Sequence, residues 1–483
     1  MRLGKTALIH FGSNLVVSAT GFIATFAIAY LLGAGGLGEY AIATALGFFW
    51  LGIPASAVST AMRKRISEGT DKAAFLTAGF ALNAALGLFL AVLVFLAGEA
   101  IPIVFGTDSE FTRILASYNT PIAVLVLGTY GYKSVSSGLQ GQKRVAADGV
   151  LNAVERIFRT LVQVTLLVVG YGVGALIVGH AVTLILAGVV AFVGIGLRPK
   201  RPSSDHVARL ATFAKYAWVG ALRSRVFGWM DTIVLAFFVS ASLIGIYEAA
   251  WGLASLLAAI SGSIQRTLFP EVSDISTDAA HDKIKHYLDE GLVFAGVFVI
   301  PGLLGSIVIG GRVLEFYRPE FAKGGGILVL LVLAYGFDVY ASQFVNVINA
   351  IDYPDVAYRV NLAFIVSNLA LNLVLIWAIG WFGAAIATGI STLLRLLLAY
   401  QALGQLVGRP SVPARQLVLQ AVASVAMAGL VFWIRPYAWP GRPGTIQLVG
   451  FGAFVYILIL LAVSGRVREK TRSLLPTEIG PQG

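Results

Sequence analysis

Fourteen apolar stretches, each long enough to cross a bilayer as a helix, run through this chain and leave only short connections between them. A span needs about 20 predominantly apolar residues. Inside hydrocarbon a backbone can satisfy its N–H and C=O groups only as a helix or a closed barrel. The pattern therefore predicts an all-α polytopic membrane protein of about 14 transmembrane helices. They are expected near 6–33, 38–61, 73–98, 113–139, 150–170, 174–196, 211–238, 242–268, 288–310, 327–349, 358–379, 382–404, 416–434 and 446–464. Composition agrees: 58% of residues are hydrophobic and 12% charged, against roughly 45–50% and 25% in soluble domains. The first stretch follows Met1 to Lys5 with no A-x-A-like cleavage site, so it reads as a retained helix and not a signal peptide.

Orientation follows from the Lys and Arg asymmetry of the connections. With the N-terminus inside, 21 cations fall on the cytoplasmic side, among them Arg63, Lys64, Arg65, Lys143, Arg144, Arg198, Lys200 and Arg201. Six fall outside: Arg113, Arg312, Arg318, Lys323, Arg435 and Arg442. Both termini are thus expected in the cytoplasm of a multi-pass plasma-membrane protein. The net charge of +11 has no basic soluble domain to carry it, so nucleic acid is not an expected partner. Cysteine is absent, which excludes disulfides, thiolate metal sites and Cys nucleophiles. No cofactor or metal is expected.

The chain also repeats itself. Leu37-Gly38-Glu39-Tyr40-Ala41 resembles Ile244-Gly245-Ile246-Tyr247-Glu248 at an offset of 207, and Gly170-Tyr171 with Ala175 and Gly179 matches Gly380-Trp381 with Ala385 and Gly389 at 210. Two pseudo-symmetric six-helix lobes follow, 1–197 and 211–405, joined by a cytoplasmic linker at 198–210. Helices 13 and 14 (406–465) and a cytoplasmic tail (466–483) complete the expected organisation. Parallel repeats of this kind bind substrate between the halves near the midplane.

Eight cations lie inside the apolar stretches: Lys133, Arg156, Arg159, Lys215, Arg223, Arg225, Arg266 and Arg395. Four acids accompany them: Glu155, Asp231, Glu248 and Asp338. A cation at bilayer depth costs at least ~2.5–3.5 kcal/mol, so it faces a wet cavity or a partner. The positive surplus points to an anionic cargo. Arg156 and Arg159 share one face of a helix and suit a phosphate clamp. Arg223 and Arg225 sit near mid-depth on different faces, one expected to face the cavity and the other to pair. These four are the candidate substrate-binding residues. Asp231, Asp338 and Glu155 are candidates for ion coupling or pairing, Glu155 with Arg159 four residues on. Lys133, Lys215 and Arg266 lie near cytoplasmic helix ends, where snorkelling toward headgroups is expected. His180 reads as a packed residue, and Arg395 as a structural one near the lobe periphery.

Gly33-Ala-Gly35-Gly36-Leu-Gly38 matches G-x-G-x-x-G. A dinucleotide site needs that motif between a strand and a helix; between two spanning helices it reads as a tight turn. The chain has no phosphate loop, H-E-x-x-H or G-x-S-x-G motif, so neither ATP-driven transport nor a hydrolytic enzyme is expected.

Several longer runs carry a resemblance. Asp231-Thr-Ile-Val-Leu-Ala-Phe-Phe238, Ile244-Gly-Ile-Tyr247 with Ala249-Ala250, and Leu268-Phe-Pro270 before Ser273 stand in the second half. The first half has Leu32-Gly33, Gly38-Glu39-Tyr40 and Leu139-Gln140-Gly141. In order and spacing over roughly 1–465, they resemble the polysaccharide-flippase branch of the multidrug/oligosaccharidyl-lipid/polysaccharide exporter superfamily. Phe316-Tyr-Arg-Pro-Glu-Phe321, with Ile348-Asn-Ala-Ile-Asp352 and Pro354-Asp355, is similar to haloarchaeal members associated with dolichol-linked glycans and surface-layer N-glycosylation. The resemblance implies a lipid-linked glycan as cargo, a lipid environment, and glycosyltransferases and an oligosaccharyltransferase as pathway partners. Two rival readings remain at this point. One is an ion-coupled drug or metabolite exporter of the same superfamily, whose site should be acidic. The other is a polytopic glycosyltransferase or polymerase, which needs a larger outer loop than 311–326.

Overall fold

A computed structural model describes the backbone of residues 2–273, 280–408, 410, 412–465 and 468, and the side chains of 20–215, 217, 222–257, 288–408, 410, 412–465 and 468. Among the described residues the protein is all-helical. Its α-helices are α1 (Arg2–Thr44), α2 (Ile53–Ser67), α3 (Lys72–Phe105), α4 (Glu110–Gly141), α5 (Val145–Val168), α6 (Val173–Ile195) and α7 (Ser204–Leu235). They continue with α8 (Ala241–Ser273), α9 (Ala280–Glu315), α10 (Gly325–Ala350), α11 (Pro354–Ile379), α12 (Trp381–Val407), α13 (Ala414–Ile434) and α14 (Gly441–Val463). Ten helical segments among the described residues are long and apolar enough to cross a membrane.

The expected turn at 34–37 is narrower than the sequence suggests. Helical geometry breaks only at Gly33, with φ 75° and ψ −172°, and resumes at Ala34. A positive φ of this kind is open to glycine and strained for other residues. The other glycines of the G-x-G-x-x-G run therefore serve packing. Downstream, the second expected span is broken near its middle. A π-helical turn at Ala45–Trp50 and a bend at Leu51-Gly52 precede Pro54 at the start of α2. π-turns concentrate at functional sites. At α7, Ser203 N donates to His206 Nδ1 at 3.2 Å, so the helix begins at Ser204, inside the stretch expected to be linker.

The chain divides into two compact units, 1–249 with 369–384, and 250–368 with 385–483. In the first, α3 packs on α4, α4 on α6, α1 on α5, and α2 on α7, α4 and α3. Its core includes Val58, Met62, Ile66, Phe75, Leu76, Val135 and Leu139. In the second, α9 packs on α10 and α13, and α13 on α14. Leu292, Phe344, Ile348 and Leu403 form one of its cores, and Ile309, Met427, Val431, Leu448 and Leu460 another. Burying a Leu, Ile or Phe side chain from water is worth about 1.5–3 kcal/mol each. In lipid, association rests instead on close packing and polar ties. Large apolar side chains stay outside, among them Leu88, Phe89, Leu93 and Leu96 on α3. Such an exposed apolar face needs hydrocarbon around it.

Candidate functional site

All four candidate substrate-binding arginines fall in the first unit, together with Glu155 and Asp231; Asp338 falls in the second. On α5 the two arginines, three residues apart, have opposite circumstances. Arg159 is buried and its Nε lies 3.4 Å from Glu155 Oε1, itself buried. Its Nη1 is hydrogen-bonded to His180 Nε2, and Thr183 Oγ1 donates to Glu155 at 3.3 Å. His180 Nδ1 lies 3.2 Å from the Tyr40 hydroxyl, which also accepts from Gln163 Nε2 at 2.6 Å. An arginine donating into Nε2 requires that nitrogen unprotonated, so Nδ1 carries the imidazole proton. Arg159 is therefore held inside a closed network joining α1, α5 and α6.

Arg156 has no such network. Its guanidinium is half-buried against Gly21 of α1 and makes no hydrogen bond or ion pair among the described residues. A Cβ at Gly21 would stand 2.7 Å from Arg156 Nη2, so the glycine leaves the space that the guanidinium fills.

The broken second span supplies the other half of the cluster. Lys133 of α4, expected to snorkel, turns inward instead. Its ammonium donates to the Gly52 carbonyl at 2.7 Å and to Ser56 Oγ at 2.8 Å. The reason is local: a Cβ at Gly52 would stand 2.8 Å from the ammonium, so the glycine leaves it room to reach a carbonyl that also accepts from Ser56 N at 3.1 Å. Lys133 also lies 5.8 Å from the centre of the Phe48 ring, and Arg225 of α7 lies 5.1 Å from that of Phe49. Phe49 stacks on Trp229 at 3.7 Å, and Trp50 Nε1 donates to the Trp229 carbonyl at 3.1 Å. Phe48 in turn lies 5.2 Å from His180. Consecutive rings of the π-turn thus join the Arg159 network to Lys133 and Arg225. Cation–π contact contributes ~0.5–2 kcal/mol and leaves a guanidinium's in-plane donors available.

Arg223 is half-buried on α7 and engaged with other groups. Asp231 accepts from the Tyr247 hydroxyl, and Thr232 Oγ1 donates to Glu248, so α7 and α8 are tied twice. Asp338, without a neighbour in sequence, has one in space: Arg395 Nη1 donates to its Oδ1 at 2.6 Å. Arg395 is 1% exposed and also donates to Asn361 Oδ1 at 3.1 Å and Ser342 Oγ at 3.2 Å, which places it in a packed interior rather than at a periphery. Arg266 lies outside the residues whose side chains are described. Sequence reasoning set Lys133 aside and gave no role to the aromatic run Phe48-Phe49-Trp50. The Leu51-Gly-Ile-Pro54 breaker inside an apolar stretch was the signal that marked both.

Comparison with known proteins agrees with this architecture. The sequence model for the family described as polysaccharide biosynthesis protein matches residues 28–317. The probable flippase AglR of Haloferax volcanii is 31% identical over 99% of this chain and 100% of its own length. The chain belongs to this polysaccharide biosynthesis protein family. The probable low-salt glycan biosynthesis flippase Agl15 of the same organism is 27% identical over 95% of the chain and 96% of its own length. Both fit the haloarchaeal resemblance seen in the sequence. Among solved structures, the lipid II flippase MurJ in an inward closed conformation matches with a TM-score of 0.81 at 17% identity, covering 96% of this chain and all of that one. That likeness establishes the fold: an all-helical, multi-pass membrane protein.

Proposed function

We propose that the protein is a flippase, not an enzyme. It moves a lipid-linked oligosaccharide, on a polyprenyl or dolichyl phosphate or pyrophosphate, from the cytoplasmic to the outer face of the plasma membrane. The product serves surface glycan assembly or protein N-glycosylation, and the translocation runs by alternating access with both termini in the cytoplasm. Two six-helix repeats, 1–197 and 211–405, linked by 198–210 and followed by α13 and α14, carry the motion. The names borne by the relatives AglR and Agl15 support the reading. One observation within the molecule carries it: Arg156, half-buried beside a network that already neutralises Arg159, has no hydrogen-bond or ion-pair partner of its own among the described residues. Lys133 and Arg225 add two more cations in the same unit. A phosphate crossing hydrocarbon is impeded chiefly by desolvation, and guanidinium groups offset that cost by bidentate bonding. A cationic drug would meet repulsion here.

The test is Arg156→Ala. Hydrogen bonds to charged groups are worth about 1.5–3 kcal/mol, so flipping should fall roughly 10- to 100-fold while the protein inserts and folds as before. Flipping at the parental rate, or transport of a cationic dye by the purified protein, would count against the proposal.

A further inference from the structure

The sequence repeat has a physical counterpart in the first unit. A Cβ at Gly38 would stand 1.8 Å from the Ala241 carbonyl oxygen, and a Cβ at Gly245 would stand 1.9 Å from that of Ala34. Gly38 and Gly245 also face each other's amide nitrogens, at 3.0 and 2.9 Å from the same hypothetical atoms. Each glycine therefore admits the other helix's backbone, and the equivalent residues, Gly38 with Gly245 and Ala34 with Ala241, are each separated by the repeat offset of 207. Gly35 extends the series, its hypothetical Cβ standing 3.4 Å from Ser242 Oγ. Self-complementary contact of this form is what a two-fold axis produces. Here it relates two internal repeats.

Two residues beyond each glycine stands a tyrosine, again at the repeat offset, and each tyrosine enters a buried charged group. Tyr40 bonds His180 and Gln163, hence the Arg159–Glu155 pair beside Arg156. Tyr247 donates to Asp231 on α7. Between Gly38 and Tyr40, Glu39 accepts from Tyr118 at 2.8 Å and pairs with Arg113 at 3.2 Å. Three consecutive residues thus reach four different helices: Gly38 meets α8, Glu39 meets α4, and Tyr40 meets α5 and α6.

We propose that the Gly38-Glu39-Tyr40 and Gly245-Ile246-Tyr247 segments form the outer seal of the translocation path, and that Tyr40 is a positioning residue that reports cargo at Arg156 to this seal. The geometry allows no glycan past it. Carbonyl oxygens occupy the places where side chains would be, so α1 and α8 must part before a sugar can leave at this end. Anion binding at Arg156 alters the field on the adjacent Arg159–Glu155 pair. Tyr40 is tied to that pair through His180 and is two residues from the crossing. The inference rests on the reading of Arg156 as the cargo contact, and its test separates the two.

The cysteine-free chain allows a direct experiment. A Cβ at position 35 would stand 3.4 Å from Ser242 Oγ, the place a cysteine sulfur would take, and an S–S bond of about 2.05 Å can close that gap, so Gly35→Cys with Ser242→Cys should crosslink on oxidation in proteoliposomes. Crosslinking should abolish flipping of a dolichyl phosphate-linked hexose, and dithiothreitol should restore it in the same sample. Dolichyl phosphate added to the reduced protein should change the crosslinking rate, and Tyr40→Phe in that background should remove this response while the crosslink still forms. A pair that fails to crosslink, or flipping that persists when crosslinked, overturns the seal. A response that survives Tyr40→Phe overturns the role of Tyr40. Full flipping by Arg156→Ala would instead refute the cargo site and leave the crosslinking result standing.

Discussion

Arg156 and Arg159 differ by three positions and by nearly everything that decides a charged residue's role. Arg159 lies in a buried pair, and removing one member of such a pair typically costs about 3–5 kcal/mol because the other charge stays behind. Arg159→Ala should therefore lower the midpoint of denaturant or thermal unfolding in detergent, by contrast with Arg156→Ala. Adding Glu155→Gln to Arg159→Ala should recover part of the loss; no recovery would show that the pair is not the source. The sequence placed both arginines on one face and suggested the Glu155 partner at four residues. It could not show that His180 and Tyr40, 21 and 119 residues from Arg159, close the network around one arginine and leave the other open. For the same reason Asp338 had no visible partner, since Arg395 lies 57 residues away. Long-range side-chain pairing has no periodic signature.

Elements were more legible than residues. Apolar length located the helices because a bilayer admits few alternatives, and the repeat offset aligned Gly38 with Gly245 without showing that the two touch. What escaped was the interruption of the second span, where the π-turn at Ala45–Trp50 and the bend before Pro54 make room for Lys133. The stretch before α7 also acquires order from outside its own sequence. Lys200 Nζ donates to Asp71 Oδ1 at 2.5 Å, and His206 Nε2 lies 3.4 Å from Oδ2. The hydrogen bond from Lys200, then its charge, with a smaller share from His206, holds the Asp71 carboxyl below its ordinary value of 3.8. A depressed folded value means that the tie is in force above pH 3.8 and is lost as pH falls through the lower folded value. Trypsin cleavage after Lys200 in open membrane fragments should rise with Asp71→Asn at neutral pH. A non-tryptic protease active in acid should show the parent's linker opening only below the ordinary aspartate range. Opening well above that range would contradict the assignment to Asp71. The pair is solvent-exposed, so the effect is local rather than a matter of global stability.

At the scale of the whole molecule, the distribution of charge makes two independent claims. The first concerns orientation: 21 cations are assigned to one side and six to the other, and long apolar helices cannot readily invert against that bias. Because the chain lacks cysteine, Ser67→Cys and Thr107→Cys, both exposed, can be labelled in intact cells with an impermeant maleimide. Thr107→Cys should react and Ser67→Cys should not; the reverse pattern would invert the topology. The second claim concerns cargo. The proposed cargo site draws on the cations Lys133, Arg156 and Arg225, which would set a carrier of an anion apart from a protein that merely spans the membrane. The most direct measurement compares, in the same proteoliposomes, flipping of a dolichyl phosphate-linked hexose with that of an uncharged glycolipid bearing the same sugar. The phosphate-bearing lipid should be flipped and the uncharged one left behind. Equal flipping of both, or preference for the uncharged lipid, would contradict the assignment of these cations to an anionic headgroup.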